Sequence, residues 1–272
     1  MPNPVREKYA SPISLYQTTN VQEHKLGTRV ELADRVFRYA KFMDASTAIP
    51  ANNLVQMAVP VGNHVTQSDA AFSVTAEDKS VTVTLGATVA QENQYQDGYL
   101  KLQSSTLGIG QIFKLKGHKY VASSGSLTAK LYDPVKTTSS GTEVYSLIHN
   151  PYSGVILTLA AALSAPCAGV ATAAFAACST ASVATPGYLQ TATSTWTQPR
   201  FGWLQTWGVA SVLFDRATNV DSVAGHGVGI SQATAGCCNT YIHDVIEQVI
   251  GVAMEVLDVE ADYLSVFLQI AP

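Results

Sequence analysis

Ser80-Val81-Thr82-Val83-Thr84-Leu85 sends Val81, Val83 and Leu85 to one side of an extended chain and three hydroxyl side chains to the other. A repeat of two is the signature of a strand with one buried face; a helix would bring every third or fourth residue together instead. Outward from this stretch the same period recurs. Leu127, Ala129 and Leu131 alternate with Thr128, Lys130 and Tyr132 until Asp133-Pro134 stops the run. Arg29-Val30-Glu31-Leu32 and Arg35-Val36-Phe37-Arg38-Tyr39 read as a hairpin, and Leu264, Val266, Leu268 and Ile270 line one face of a last strand.

Turn signals fall between these runs at Asp97-Gly98, Gly108, Gly110, Gly117, Ser123-Ser124-Gly125, Ser139-Ser140-Gly141 and Ser153-Gly154. No alternation of strand and long helix interrupts them. The expected fold is all-β, with short antiparallel strands forming barrel- or sandwich-like regions, an extended N-terminal arm and little helix. Two segments are candidates for helix, Ile156 to Ser164 and Tyr241 to Val249. The second reads equally as a loop entering the strand Val249 to Met254. The chain divides into a polar, Pro-containing arm (1–26), a first β-region (27–157), an uncharged Ala-rich connection (158–186) and a second β-region (187–272). The arm carries Pro2, Pro4 and Pro12 and no sustained apolar period, so it is expected to add little to the core.

At 272 residues the chain can bury a sizeable core without metal or disulfide staples. Charged residues are 13% of it, against roughly 25% in an average soluble domain. A surface so poor in charge suggests coverage by partners, and the net charge of −4 gives no basic footprint for nucleic acid. The first residues lack the apolar core of a secretory signal. Val144 to Pro199 contains no Asp, Glu, Lys or Arg, and Val155 to Ala177 imitates a membrane span. Pro166 and Gly169 interrupt it and no Lys or Arg anchors its ends, so small-residue packing within an assembly is the preferred reading, with self-association as a trimer.

Catalytic and ligand-binding patterns were sought residue by residue. Cys167, Cys178, Cys237 and Cys238 form no CxxC pair and have no His at zinc-ligand spacing, so they read as buried thiols. Ser123-Ser124-Gly125-Ser126 is a hairpin loop rather than a nucleophile elbow. Gly225-His226-Gly227-Val228-Gly229-Ile230 fits neither the dinucleotide nor the Walker pattern and reads as a bulged β-segment. Glu77-Asp78 is a solvated turn. Glu255, Asp258, Glu260 and Asp262 could offer oxygens to Ca²⁺ but lack the EF-hand spacing, so a polar turn is preferred. Trp196, Phe201, Trp203 and Trp207 could stack on sugars, although packing is the simpler explanation. Phe201, Trp203 and Gln205 share one strand face, and Gly202, Leu204 and Thr206 the other. The expectation is therefore a protein with no catalytic, cofactor-binding or metal-binding residues.

Three blocks resemble a family of tailed-bacteriophage virion proteins. They are Leu15 to Val30 with Arg35 to Ala40; Gly108 to Lys116 with Leu131 to Pro134 and Asn150 to Ile156; and Gly202 to Gly208 with Ile250 to Met254 and Val266 to Ile270. The blocks keep their order over nearly the whole chain. The family's first hairpin often reads Asp-Gly-Arg-Val-Phe, whereas here Asp34 is followed directly by Arg35, and the Ala-rich insertion around Val155 to Val183 is long. The resemblance implies a capsid decoration, or cement, protein. Such a protein sits outside the shell as a trimer and ties major capsid subunits together, with no membrane or direct nucleic-acid contact, on a virion assembled in the host cytoplasm. The alternatives are a major capsid protein or other virion component, and a carbohydrate-binding adhesion module built on the Trp-rich strand.

Overall fold

The computed structural model describes residues 15–43, 47–103, 110–160, 164–177, 180–181, 196–197, 199–216, 221–240, 248–257, 259 and 262–272. The fold is all-β, and among the described residues no helix is long and apolar enough to cross a membrane. The chain forms two compact units, one from residues 1–58 and 152–272, the other from residues 59–151.

The strands of the first unit are β1 (Arg29–Leu32), β2 (Arg35–Phe42), β3 (Leu54–Gln56), β10 (Ser153–Leu157), β11 (Cys167–Ala171), β12 (Thr180–Ala181), β13 (Trp196–Thr197), β14 (Arg200–Leu213), β15 (Gly227–Ile230), β16 (Cys238–Thr240), β17 (Val249–Ala253) and β18 (Tyr263–Gln269). The two-residue pair β12–β13 stands apart from the main sheet. The hairpin β1–β2 turns in two residues, with Ala33 at a φ of 55° where glycine is usual. Five strands close a ring in the order β2, β10, β3, β11, β14 and back to β2, in which only β2–β10 is parallel. Its interior is filled by Ala40, Phe42, Val55, Val155, Ala168, Ala171, Phe175 and Leu204.

Strand β14 is 14 residues long, and its two halves belong to different pairings. Arg200 to Trp207 pairs with β2, with a bulge between Gln205 and Trp207; Trp207 to Leu213 pairs with β18. Gly208 follows the bulge at a φ of 82°, and a Cβ there would lie 2.5 Å from the Asp34 carbonyl oxygen, so only glycine fits. The buried Gln205 side chain donates to the Trp207 and Val209 carbonyls at 3.2 and 2.7 Å, satisfying groups the bulge frees. Beyond it the sheet continues as β14–β18–β17–β15–β16 over a second core that includes Val212, Phe214, Ile230, Ile250, Leu264, Val266 and Leu268.

The second unit holds β4 (Gln67–Val74), β5 (Ser80–Thr84), β6 (Tyr99–Leu102), β7 (Ile112–His118), β8 (Ser126–Leu131) and β9 (Ser139–Ile148), with a single 3-10 turn at Gly62–His64. One antiparallel sheet runs in the order β4–β9–β6–β7–β8–β5. It rolls into a nearly closed barrel around Phe72, Val81, Val83, Leu100, Leu115, Leu127, Leu131, Tyr145 and Leu147. The seam between β4 and β5 has no ladder. Side chains span it instead: the buried Asp69 accepts the Thr84 N–H at 2.8 Å, and the Tyr145 hydroxyl donates to the Thr84 carbonyl at 2.5 Å.

Several sequence expectations need correction. The linear division at 27–157 and 187–272 fails because β1–β3 pair with β10, β11 and β14, so residues 59–151 are an insertion between two paired strands. The connection 158–186 contains β11, a wall of the five-stranded ring. Ile156 and Leu157 end β10 and do not start a helix, since their backbones pair with Gln56 and Val55. Gly117 is a bulge residue inside β7, and Gly141 lies within β9 at a φ of 109°, paired with Phe72 next to a bulge in β4, so neither is a turn between strands. Within the uncharged stretch Cys167 to Ala171 is buried in its own unit, whereas Ile148 and Leu159 stay exposed. Tyr241 to Glu247 lies outside the described residues, and the expected strand from Val249 is present as β17.

The arm also does more than the sequence suggested. From Leu15 to Leu26 it holds little regular structure, yet Leu15 is fully buried with Phe37, Tyr39, Phe201 and Trp203. Thr19 exchanges backbone hydrogen bonds with Phe201 at 2.8 and 2.9 Å, and Thr172 donates to the Leu15 carbonyl at 2.5 Å. Sparse apolar residues were enough because they fall on a preformed aromatic face. We expect Leu15→Ala to cost about 2–5 kcal/mol in the first unit, and removal of residues 1–26 to cost more, measured by denaturant unfolding. An unchanged unfolding midpoint for the truncated chain would mean that the arm is not part of this core.

Candidate functional site

Alternation along β14 and β18 sends Ala210, Val212, Leu264, Val266 and Leu268 into the core, so Trp207, Val209, Ser211, Leu213, Tyr263, Ser265, Phe267 and Gln269 lie on the other face. None of these outward side chains is charged. The pairing aligns Val209 with Phe267, and Phe267 with Val252 on β17, making an apolar row across three strands. Leu213 faces Tyr263 and Ser211 faces Ser265 in the same register. Trp207 packs edge-on against Phe267 with ring centres 5.9 Å apart. Val209 is 37% exposed, Tyr263 46% and Met254, just past β17, 50%. Val223 and Val256 continue the exposed apolar surface where Ser222 pairs with Leu257.

Glu255 stands at the end of this face. Its carboxylate accepts the Ser265 N–H at 2.8 Å, and hydrogen bonding from the Ser265 side chain first and its N–H second holds the Glu255 pKa below the usual carboxylate value. The outward side chains of β14 and β18 thus form an uncharged, partly exposed apolar face that runs on to Val252 of β17 and ends at Glu255. The inward face of β18 was readable from the sequence as a strand face. The outward one was equally visible as Tyr263, Ser265, Phe267 and Gln269, but only the pairing to β14 and β17 makes it a continuous patch.

The residues singled out in the sequence are scattered. Trp203 is 2% exposed and sits between Tyr39 and His24, so it has no face open to a sugar. Phe201 is buried beside it, while Trp207 lies on the opposite face, past the bulge. The side chain of Trp196 lies outside the described residues, as do Cys178, Asp258 and Glu260. Cys167, Cys237 and Cys238 are buried free thiols. Burial pushes Cys167 up to about 12 and Cys237 up to about 11. Cys238 is raised too, first by burial and then by Cys237. Such thiols stay protonated and unreactive.

Ser123 to Gly125 forms the loop between β7 and β8, and Gly227 to Ile230 is β15, whose ladder with β17 shifts register through an extra residue, Ile250, on β17. In the Glu77-Asp78 turn the Asp78 carboxylate accepts the Thr75 N–H. Glu255 and Asp262 each bind backbone N–H groups, and among the described residues no three His, Cys, Asp or Glu side chains gather as a metal would require.

Sequence reading missed one buried polar cluster, in the second unit. Tyr95 is fully buried, and its hydroxyl lies 2.5 Å from His64 Nδ1. Its backbone N–H donates to His118 Nε2 at 3.1 Å, while His118 Nδ1 lies 2.8 Å from the Lys119 carbonyl, to which it must donate. That pair of contacts fixes a neutral His118. The three residues are too far apart in the chain for a spacing rule to have joined them.

No protein-family model, curated protein or solved structure matches the chain.

Burial holds the His118 pKa below its ordinary value of 6.5; the Lys119 carbonyl and Glu92 oppose this and His64 adds to it. An unfolded chain thus takes up the proton first, and stability falls as pH drops below the ordinary histidine value. We expect a lower melting temperature for the second unit at pH 5 than at pH 7.5, with the difference reduced in His118→Gln. Identical pH profiles for both proteins would remove His118 as the cause.

Proposed function

We propose that the chain is a non-enzymatic structural protein of a tailed-bacteriophage head, a decoration protein that seats on the outside of the shell and ties neighbouring major capsid subunits together. The observation that carries the proposal is the uncharged face of β14, β18 and β17, whose partly exposed apolar row Val209–Phe267–Val252 suits a large, shape-matched protein surface rather than a small ligand. The order of the sequence blocks that resemble decoration proteins supports the same reading. A trimer placed where capsid subunits meet would engage several of them at once and gain by multivalency.

Rigid sheets suit this task. A cement protein binds the assembled lattice and not free subunits, so by mass action it raises the threshold at which the shell fails. The Trp-rich strand gives no support to an adhesion module, because Trp203 is enclosed.

Heads with and without the protein, at matched DNA content, are expected to differ in rupture temperature and in survival of osmotic shock. Val209→Asp and Phe267→Asp place a charge on the outward face without entering the core. Each should fold normally, bind heads at least tenfold more weakly and lose the protection. Equal rupture thresholds with bound protein, or full binding by both variants, would count against shell docking through this face.

A further inference from the structure

The outer face of β6, β7 and β8 in the second unit has the opposite character. Lys101, Lys114, Lys116 and Lys130 all point outward and are exposed. The ladder sets Tyr99 beside Lys114 on the adjoining strand, and the Tyr132 N–H binds the Lys114 carbonyl, so Tyr99, Lys114 and Tyr132 form one row. Lys114 Nζ lies 5.3 Å from the centre of the Tyr99 ring, and Lys116 Nζ lies 5.4 Å from that of Tyr132. The remaining outward positions on β5, β7 and β8 are Ser, Thr and Ile112, with no carboxylate among them. At the rim Asp97 is engaged by the Tyr132 hydroxyl at 2.6 Å. Among the described residues none of the four lysines is in a salt bridge.

We propose that this lysine–tyrosine face binds an acidic polysaccharide, a chain bearing carboxylate or sulfate groups. Four ammonium groups without facing carboxylates call for a polyanion. Each tyrosine ring carries a lysine ammonium over its face, so a nucleic-acid base could stack there only by displacing the lysine, while Tyr132 as a whole stays 42% exposed. The charges are all lysine, compact point charges that place little geometric demand on the anionic group they meet. Beside the face lies a groove of about 740 Å³ lined by Lys114, Lys136, Glu77 and Asp133. Donors and acceptors together there match the hydroxyls of a sugar ring better than they match a bare anion. The inference is independent of shell docking, since it concerns the other unit and is read without heads.

The test measures binding of the full-length protein to dextran sulfate, alginate, neutral dextran and a single-stranded oligothymidylate by calorimetry at several salt concentrations. The two acidic polysaccharides should bind, with affinity falling steeply as salt rises, and neutral dextran should not. The triple variant Lys114→Gln, Lys116→Gln, Lys130→Gln should bind at least tenfold more weakly at an unchanged melting temperature, and Lys116→Glu alone should weaken binding if the triple variant is poorly folded. Lys25→Gln, in the other unit, should leave binding unaltered. Undiminished binding by the lysine variants, absence of binding to both acidic polysaccharides at low salt, or tighter binding of the oligothymidylate would each overturn the proposal, the last in favour of single-stranded nucleic acid.

Discussion

The bulge at Gln205–Trp207 is the constraint on which the first unit depends. A strand of 14 residues cannot serve one small ring and one extended sheet unless it changes direction between them, and a bulge does this by adding one unpaired residue and local twist. Gly208 supplies the backbone angle that the bend requires, and Gln205 recovers the hydrogen bonds it frees. Before the bend, β14 shares its residues between the ring interior through Leu204 and the arm through Phe201 and Trp203. After it, the same strand presents Val209 and Ser211 outward and Ala210 and Val212 to the second core. The uncharged face thus exists because the bulge releases β14 from β2.

The second unit reaches closure by different means. Its sheet lacks a ladder between β4 and β5, and an open seam would expose unpaired backbone groups at two edges. Asp69 and Tyr145 satisfy groups of Thr84 across that seam, so two buried polar side chains stand in for strand pairing. Polar groups in this barrel are therefore structural, and the neutral His118 beside Tyr95 follows the same pattern. The chain leaves the first unit after β3 and returns in β10, which are paired neighbours, so the insertion interrupts no other part of the five-stranded ring.

The two units offer surfaces of contrasting chemistry. One is apolar and uncharged; the other carries lysines over tyrosine rings beside a groove of mixed charge. A low overall content of charged residues concealed this, because the average over 272 residues blends an uncharged face with a cationic one.

The sequence by itself determined the all-β class and most of the periodic strands. Alternation is a local property, and Val81, Val83 and Leu85, or Leu264, Val266 and Leu268, show it without reference to any partner. The burial of Cys167, Cys237 and Cys238 as free thiols was legible there too. Only the tertiary structure decided which strands pair. Nothing local in Arg35–Phe42 distinguishes β14, more than 150 residues away, from the nearby strands of the second unit, since hydrogen-bonding edges are chemically alike. The same limit hid the role of the arm, whose few apolar residues matter only because Phe201 and Trp203 stand opposite them. Both candidate faces are tertiary as well: each joins side chains of three strands, and a surface assembled across strands has no period along any one of them.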